Sequence, residues 1–444
     1  MHSGIRAVLF VAACAAAQPA AAAGLIQVFR DARAFDAQFA AARYALQAGL
    51  EKLPQGRSLI LPTVSLSGNA TNTRLDSTPR DAALSFPFVR DVRAYGYNLA
   101  FSQPIYRAQN TLQYGQAEFQ VRQAEAVYGQ AGQDLVVRVA QAYFDVLAAQ
   151  DTLALVRAQK IAIGEQLAQA KRNFEVGTAT ITDTHEAQAR FDLASAQEIS
   201  AQNDLENKLR ALQQLTGKSY DNLAGLRSDV KLSPPNPNSI QAWAELAEKQ
   251  GYPVQIQEAV TEIARLEARR NSAAHLPTLD LVANYGYTSQ TGSTLTTVGS
   301  NFNLGSISLQ IAVPLYAGGA LNSREREAAA NFERSKQDLE NARRTNALAS
   351  QQTFLGVING IAQVGALEQA LVSSQSALES NKLGYEVGVR INIDVLNAQQ
   401  QLFSTRRDLA LARYNTITSH LRLKAAAGSL REEDLEEVNR ALTP

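Results

Sequence analysis

The sequence predicts an α+β membrane protein. Four β-strands per protomer complete a 12-stranded barrel only as a trimer, and a long α-helical barrel with a small mixed equatorial region continues it. Three observations carry this reading. The 444-residue chain repeats one plan twice, four segments alternate with a period of two, and two very long segments follow a heptad track. Length alone leaves room for several ordinary domains, so pattern decides.

Arg6 precedes the apolar run Ala7 to Ala17, and the small residues Ala20 to Ala23 follow, so 1–23 reads as a secretory signal peptide. Cys14, the only cysteine, lies inside it, and Val11-Ala12-Ala13-Cys14 loosely resembles a bacterial lipobox. The small-residue site beyond Cys14 favours plain cleavage over lipidation. Either way no disulfide forms within one chain. Beyond the signal no run of 18 apolar residues occurs, which leaves membrane passage to strands. Lys plus Arg and Asp plus Glu balance at 42 each, which argues against a nucleic-acid partner.

The repeat is explicit. Phe174-Glu175-Val176-Gly177 recurs as Tyr385-Glu386-Val387-Gly388. At the same offset Ile181-Thr182-Asp183 matches Asn392-Ile393-Asp394, Ala187-Gln188 matches Ala398-Gln399, and Gly217 matches Gly428. Nearer each start, Leu61-Pro62-Thr63 pairs with Leu276-Pro277-Thr278, and Pro104-Ile105-Tyr106 with Pro314-Leu315-Tyr316. The expected organisation is a first repeat over 24–217, a linker or equatorial segment over 218–240, a second repeat over 241–430 and a short, charged, peripheral tail over 431–444.

Between the two prolines of each copy the pattern is that of strands with one apolar face. Val64, Leu66, Gly68 and Ala70 alternate with polar residues, as do Tyr95, Tyr97, Leu99 and Phe101. The second copy repeats this with Leu279, Leu281, Ala283, Tyr285 and Tyr287, then Ile307, Leu309, Ile311 and Val313. Segments 72–92 and 288–301, rich in Ser, Thr, Gly and Asn, read as exposed hairpin loops. The tyrosines are either an interfacial aromatic girdle or ordinary strand filler.

After Tyr106 no proline occurs until Pro234, and Leu135, Val139, Ala142, Val146, Ala149, Leu153 and Val156 step by four and three. One helix is expected from Ala108 to Asn173, reaching roughly 100 Å at ~1.5 Å per residue. The second copy carries the same track through Val357, Gly360, Val364, Leu367 and Leu371 to Tyr385. Each long helix ends at a Val-Gly stop, and a shorter helix returns from Asp183 to Leu215 or from Asp394 to Ala427. Four amphipathic strands cannot close a membrane barrel, which needs about eight, and open edges are not tolerated in lipid. A cyclic trimer is the simplest repair. Small residues such as Ala142, Ala149, Ala170 and Gly360 suit a tube wall better than a solid bundle.

The strand motifs at Leu61 and Leu276 resemble those of the TolC family of outer-membrane channel proteins. So do the strand-to-helix joints Gln103-Pro104-Ile105-Tyr106 and Val313-Pro314-Leu315-Tyr316, and the Val-Gly turns that precede aspartate. The resemblance covers roughly residues 24 to 430. It implies a homotrimer in the outer membrane of a Gram-negative bacterium, seated in lipid and extending into the periplasm. A periplasmic adaptor protein and an inner-membrane transporter are the implied partners. By the same resemblance, Asp183, Tyr385 and Arg390 fall on the family's periplasmic gate latch, and Asp394 and Asn397 on its entrance constriction. The second constriction position is an acid in the family and an amide here. Val176, Gly177 and Thr178, with Val387, Gly388 and Val389, fall on the adaptor-docking turns.

Each of these positions also has a plainer reading. Asp183 and Asp394 begin helices, where aspartate serves as a cap or macrodipole partner, and Gly177 and Gly388 are sufficient as helix stops. The four histidines, His2, His185, His275 and His420, lack metal-ligand spacing. No glycine-rich phosphate loop or nucleophile elbow appears, so neither a cofactor nor an enzyme activity is expected. Ala142-Tyr143-Phe144-Asp145 and Arg172-Asn173-Phe174-Glu175 resemble the protein-secreting branch. Type I secretion is therefore the first expectation for cargo, and small-molecule efflux the second. A periplasmic coiled-coil scaffold without conduction is the competing class, and it predicts no barrel.

Overall fold

The computed structural model describes residues 22–78, 87–227, 229–293 and 298–443. The signal-peptide reading and Cys14 fall outside these, apart from Ala22 and Ala23. Helices α1 (Leu25–Phe35), α2 (Ala37–Leu50) and α3 (Lys52–Ser58) lead into strands β1 (Thr63–Ser77) and β2 (Phe88–Tyr106). The long helix α4 (Ala108–Glu175) and its return α5 (Ile181–Thr216) follow. The plan then recurs as α6 (Ile240–Gln250), α7 (Tyr252–Ser272), β3 (Thr278–Gln290), β4 (Ser300–Ala312), α8 (Ala320–Glu386) and α9 (Asn392–Ala426), and α10 (Glu432–Arg440) closes the chain. Helix α4 begins at the expected residue and runs two past Asn173, up to the expected Val-Gly stop.

Two compact units emerge. The first, Ala41–Gln130 with Ala247–Ala347, holds one antiparallel sheet in the order β1-β2-β3-β4. Its register explains the alternation. Leu66 pairs with Leu99, Leu99 with Tyr285, Leu281 with Leu309 and Ala283 with Ile307. Directly paired residues share a face, so the four apolar series form one continuous apolar surface. Tyr97 and Tyr287 stack across it with ring centroids 5.9 Å apart. Ile307 is 80% exposed and Leu66 71%, and the outer edges of β1 and β4 have no neighbour in the sheet. Such a sheet is stable in lipid only when further strands close it.

The strands are longer than their apolar stretches. Residues expected to be loop, from Asn72 to Ser77 and from Phe88 to Val92, continue the β1-β2 ladder to the pair Ser77 and Phe88. Thr288 to Gln290 likewise pair with Phe302 to Ser300. Backbone pairing does not require apolar side chains, so the ladder outruns the hydrophobic signal. At the base of the sheet Arg107 grips Asp280 through two parallel bonds of 2.8 and 2.6 Å.

The second unit comprises the N-terminal residues to Ala40, Ala131–Leu246 and Leu348–Pro444. Its core includes the fully buried Tyr143, Phe144, Val139 and Leu212, with Trp243, Phe354, Val357 and Leu423 packed as a second cluster. Tyr143 donates to the carbonyl of Ala224 at 2.6 Å, and Phe144 stacks on Tyr414 at 5.6 Å. A small mixed region forms here. Ala23 bridges in parallel to Leu223, and Leu226 antiparallel to Leu442. The C-terminal segment is therefore not peripheral. Leu435 and Leu442 are buried, and Asp434 pairs with Lys424 at 2.8 Å; the charges of α10 disguise an amphipathic helix.

Candidate functional site at the paired helix turns

Both long helices stop by the same physical device. Gly177 and Gly388 each adopt φ near 79°, a left-handed conformation that favours glycine. After Gly177, the N–H of Thr178 donates to Asn173 O at 2.8 Å; after Gly388, that of Val389 donates to Gly384 O at 2.9 Å. The flanking side chains point into open space. Val176, Val387 and Val389 are 74%, 65% and 76% exposed, which leaves an apolar knob on each turn.

The two turns differ in how the next helix begins. Helix α5 has a complete capping box, in which Thr180 Oγ1 accepts from the Asp183 N–H and Asp183 Oδ2 accepts from the Thr180 N–H at 2.9 Å. Helix α9 is preceded by Ile391, whose side chain offers no cap, and no capping box forms there. Asp394 is therefore not occupied as a cap, and its Oδ2 faces Arg390 Nη1 at 3.7 Å. Within one chain Asp183 is thus held by Thr180 and Arg390 by Asp394.

Tyr385 meets a residue that sequence reasoning did not single out. The amide of Asn173 donates to its hydroxyl at 3.1 Å, tying the end of α4 to the end of α8. The available signal was positional, since Asn173 lies one helical turn before Gly177, as Gly384 does before Gly388. Arg190 is the second unanticipated residue, bonded to Asn397 Oδ1 at 3.1 Å and Gln400 Oε1 at 2.6 Å. Below the turns, Ile163, Leu167 and Ala170 of α4 pack with Ala187 and Ala194 of α5 and Leu396 of α9. Polar atoms are trapped in the same region. Asn392 and Gln399 are each 2% exposed, and neither the Asn392 amide nor Gln399 Oε1 has a partner.

The profile of outer membrane efflux proteins matches residues 28–218 and 246–429, most of the chain. The chain belongs to the outer membrane efflux protein family. The outer membrane protein TolC of Vibrio cholerae is 36% identical over 425 residues, covering 95% of this chain and 94% of that protein. The alkaline protease secretion protein AprF of Pseudomonas aeruginosa is 33% identical over 423 residues, covering 95% and 88%. Among solved structures, the outer membrane protein VceC of Vibrio cholerae superposes with a TM-score of 0.77 at 19% identity, covering 91% of this chain and 96% of that one.

As a member of the outer membrane efflux protein family the chain is an outer-membrane protein, and it shares the fold of solved outer-membrane channels. Family membership also explains α8. Part of this helix has a mean hydropathy of 1.3, apolar enough to cross a membrane by composition, yet only 11% of that stretch is buried. Gln, Asn and Gly interrupt the run, so a search for unbroken apolar stretches passes over it. In an efflux protein the sheet supplies the membrane passage, and an exposed apolar helix face suits packing against neighbouring helices in a barrel wall.

Proposed function

We propose that three copies of this chain form a closed export channel whose periplasmic entrance is gated by the paired helix turns. Docking of an adaptor and an inner-membrane transporter opens it. The observation that carries this reading is the Asn173 to Tyr385 hydrogen bond, a separable link between the ends of the two long helices. Tyr385, Arg390 and Asp183 form the latch. Arg390 and Asp183 make only local contacts in one chain, which leaves charge available for a neighbouring protomer. Asp394 and Asn397 line the constriction. Val176, Gly177 and Thr178 with Val387, Gly388 and Val389 are the docking turns, with Val176, Val387 and Val389 as exposed apolar knobs for a protein partner.

The cargo is an exported polypeptide, as in type I secretion. Support comes from the match over nearly the whole chain to a protein named for protease secretion. Small-molecule efflux is the second reading, favoured by the description of the family profile. Deleting the chain from its host and measuring both exported protein and sensitivity to amphiphilic drugs separates the two. Loss of an exported protein with unchanged drug sensitivity is the expected result, and the reverse overturns the cargo reading.

A further inference from the structure

Arg190 is a charged residue near the constriction that the gate reading leaves without a task. It lies on α5 seven residues beyond Asp183, two helical turns further from the tip. Its guanidinium bonds to Asn397 and Gln400, two amides of α9. Among the described residues Arg190 has no ion-pair partner, whereas Arg390 has Asp394 at 3.7 Å. Amide acceptors satisfy the geometry of a guanidinium but cancel none of its charge.

The exchange of acid for amide at position 397 then has a physical reason. An aspartate there would meet Arg190 in a charge-assisted bond about twice as strong as a neutral one, fastening α5 to α9 where the gate must move. Asparagine keeps the contact and leaves it separable. The cost is a cation held only by neutral amides where an acidic ring would otherwise stand. Residues 171–190 and 382–397 together carry five basic and five acidic side chains, so the tip of each protomer has no net charge. An acidic constriction concentrates cations and repels anions; here the Arg190 charge opposes the pull that the Asp394 carboxylates exert on monovalent cations.

We infer that Arg190 is a selectivity-determining residue. Clamped onto Asn397 and Gln400, it removes cation preference at the entrance and makes the channel tolerant of anionic cargo such as acidic polypeptide segments. This rests on the reading that the constriction lies at Asp394 and Asn397.

The test is the reversal potential of the purified channel in planar bilayers under a KCl gradient. The wild-type preference between K⁺ and Cl⁻ should lie within about threefold of unity, and R190Q should shift it at least about threefold toward K⁺. R190K, which keeps the charge, should retain the wild-type ratio, and N397D should move selectivity further in the R190Q background than alone. Strong K⁺ preference in the wild type overturns the inference without any variant. So does an R190Q channel that opens with the wild-type ratio. A wild-type protein that conducts nothing instead defeats the channel reading itself, so the two failures are distinct.

Discussion

Asn173 and Tyr385 sit at matching ends of the two long helices, and the 3.1 Å bond from the Asn173 amide to the Tyr385 hydroxyl crosses from one repeat to the other. Tyr385 is also half-buried against Leu378, Val395 and Leu402, so its ring stays anchored while its hydroxyl remains exchangeable. A link of this kind contributes about 0.5–1.5 kcal/mol, enough to bias a gate and small enough for a docking partner to overcome.

Tyr385→Phe should therefore raise channel opening in planar bilayers, and Asn173→Ala should raise it equally. The double variant should gain nothing further, because each change removes the same bond. Tyr385→Phe combined with Arg390→Ser should open the channel wider still. Wild-type conductance in that last variant would remove the latch from the mechanism.

Asp183 both caps α5 and is proposed to latch, and the two roles separate at Thr180. Losing the cap costs about 1 kcal/mol of local helix stability whether Thr180 or Asp183 is replaced. Only loss of the carboxylate removes a charged latch partner. Asp183→Ala should raise conductance while Thr180→Ala leaves it near wild type. Equal effects from both would make Asp183 a cap and nothing more.

The elements were legible because each is written in a repeating local code. Alternation named the four strands, a heptad named α4 and α8, and the duplicated Val-Gly turns named their ends. Features that depend on non-local contact were not legible. Nothing near Arg190 says that Asn397 and Gln400 will lie beside it, and Asn173 finds Tyr385 only because two repeats bring their tips together. The segment after Arg431 misled for a different reason. Its acidic run hides Leu435 and Leu442, which are buried against the rest of the second unit.

Tyr414 and Asp151 test the buried polar contacts of that unit. Tyr414 donates to Asp151 at 2.6 Å, and burial raises the Asp151 pKa above the usual carboxylate value while the Tyr414 bond opposes the shift. A raised folded value means that the contribution of this group is fully present below about pH 3.9 and is lost as pH rises through the folded value. Tyr414→Phe removes the donor and raises that value further. Its cost of about 1–3 kcal/mol should therefore grow with pH in thermal dissociation of the assembled channel. The growth should vanish in an Asp151→Asn background. A cost independent of pH would mean that the phenol matters only through packing on Phe144.

Ala149 is 4% exposed on the heptad track of α4, where neighbouring side chains leave no room for a long one. Ala149→Arg should lower trimer yield or outer-membrane delivery, because it overpacks the seam and buries a charge with no partner. Unchanged yield of heat-modifiable trimer on gels would mean that this track faces solvent.

Asp394 is an acid of the candidate constriction that the structure leaves free of a capping role. Ile391 supplies no side-chain cap to α9, no capping box is formed there, and among the described residues the ion-pair partner of Asp394 is Arg390 at 3.7 Å. Three copies around an axis would gather three carboxylates at one level of the pore, a site for a multivalent cation. Lanthanum added on the periplasmic side should block conductance, and Asp394→Ala should abolish the block. Arg390→Ser should strengthen it by removing the competing cation from each carboxylate. Because position 397 is an amide, the wild-type block should be weaker than that of relatives with acids at both positions, and Asn397→Asp should deepen it. A block that survives Asp394→Ala would place the narrowest point elsewhere along the tunnel.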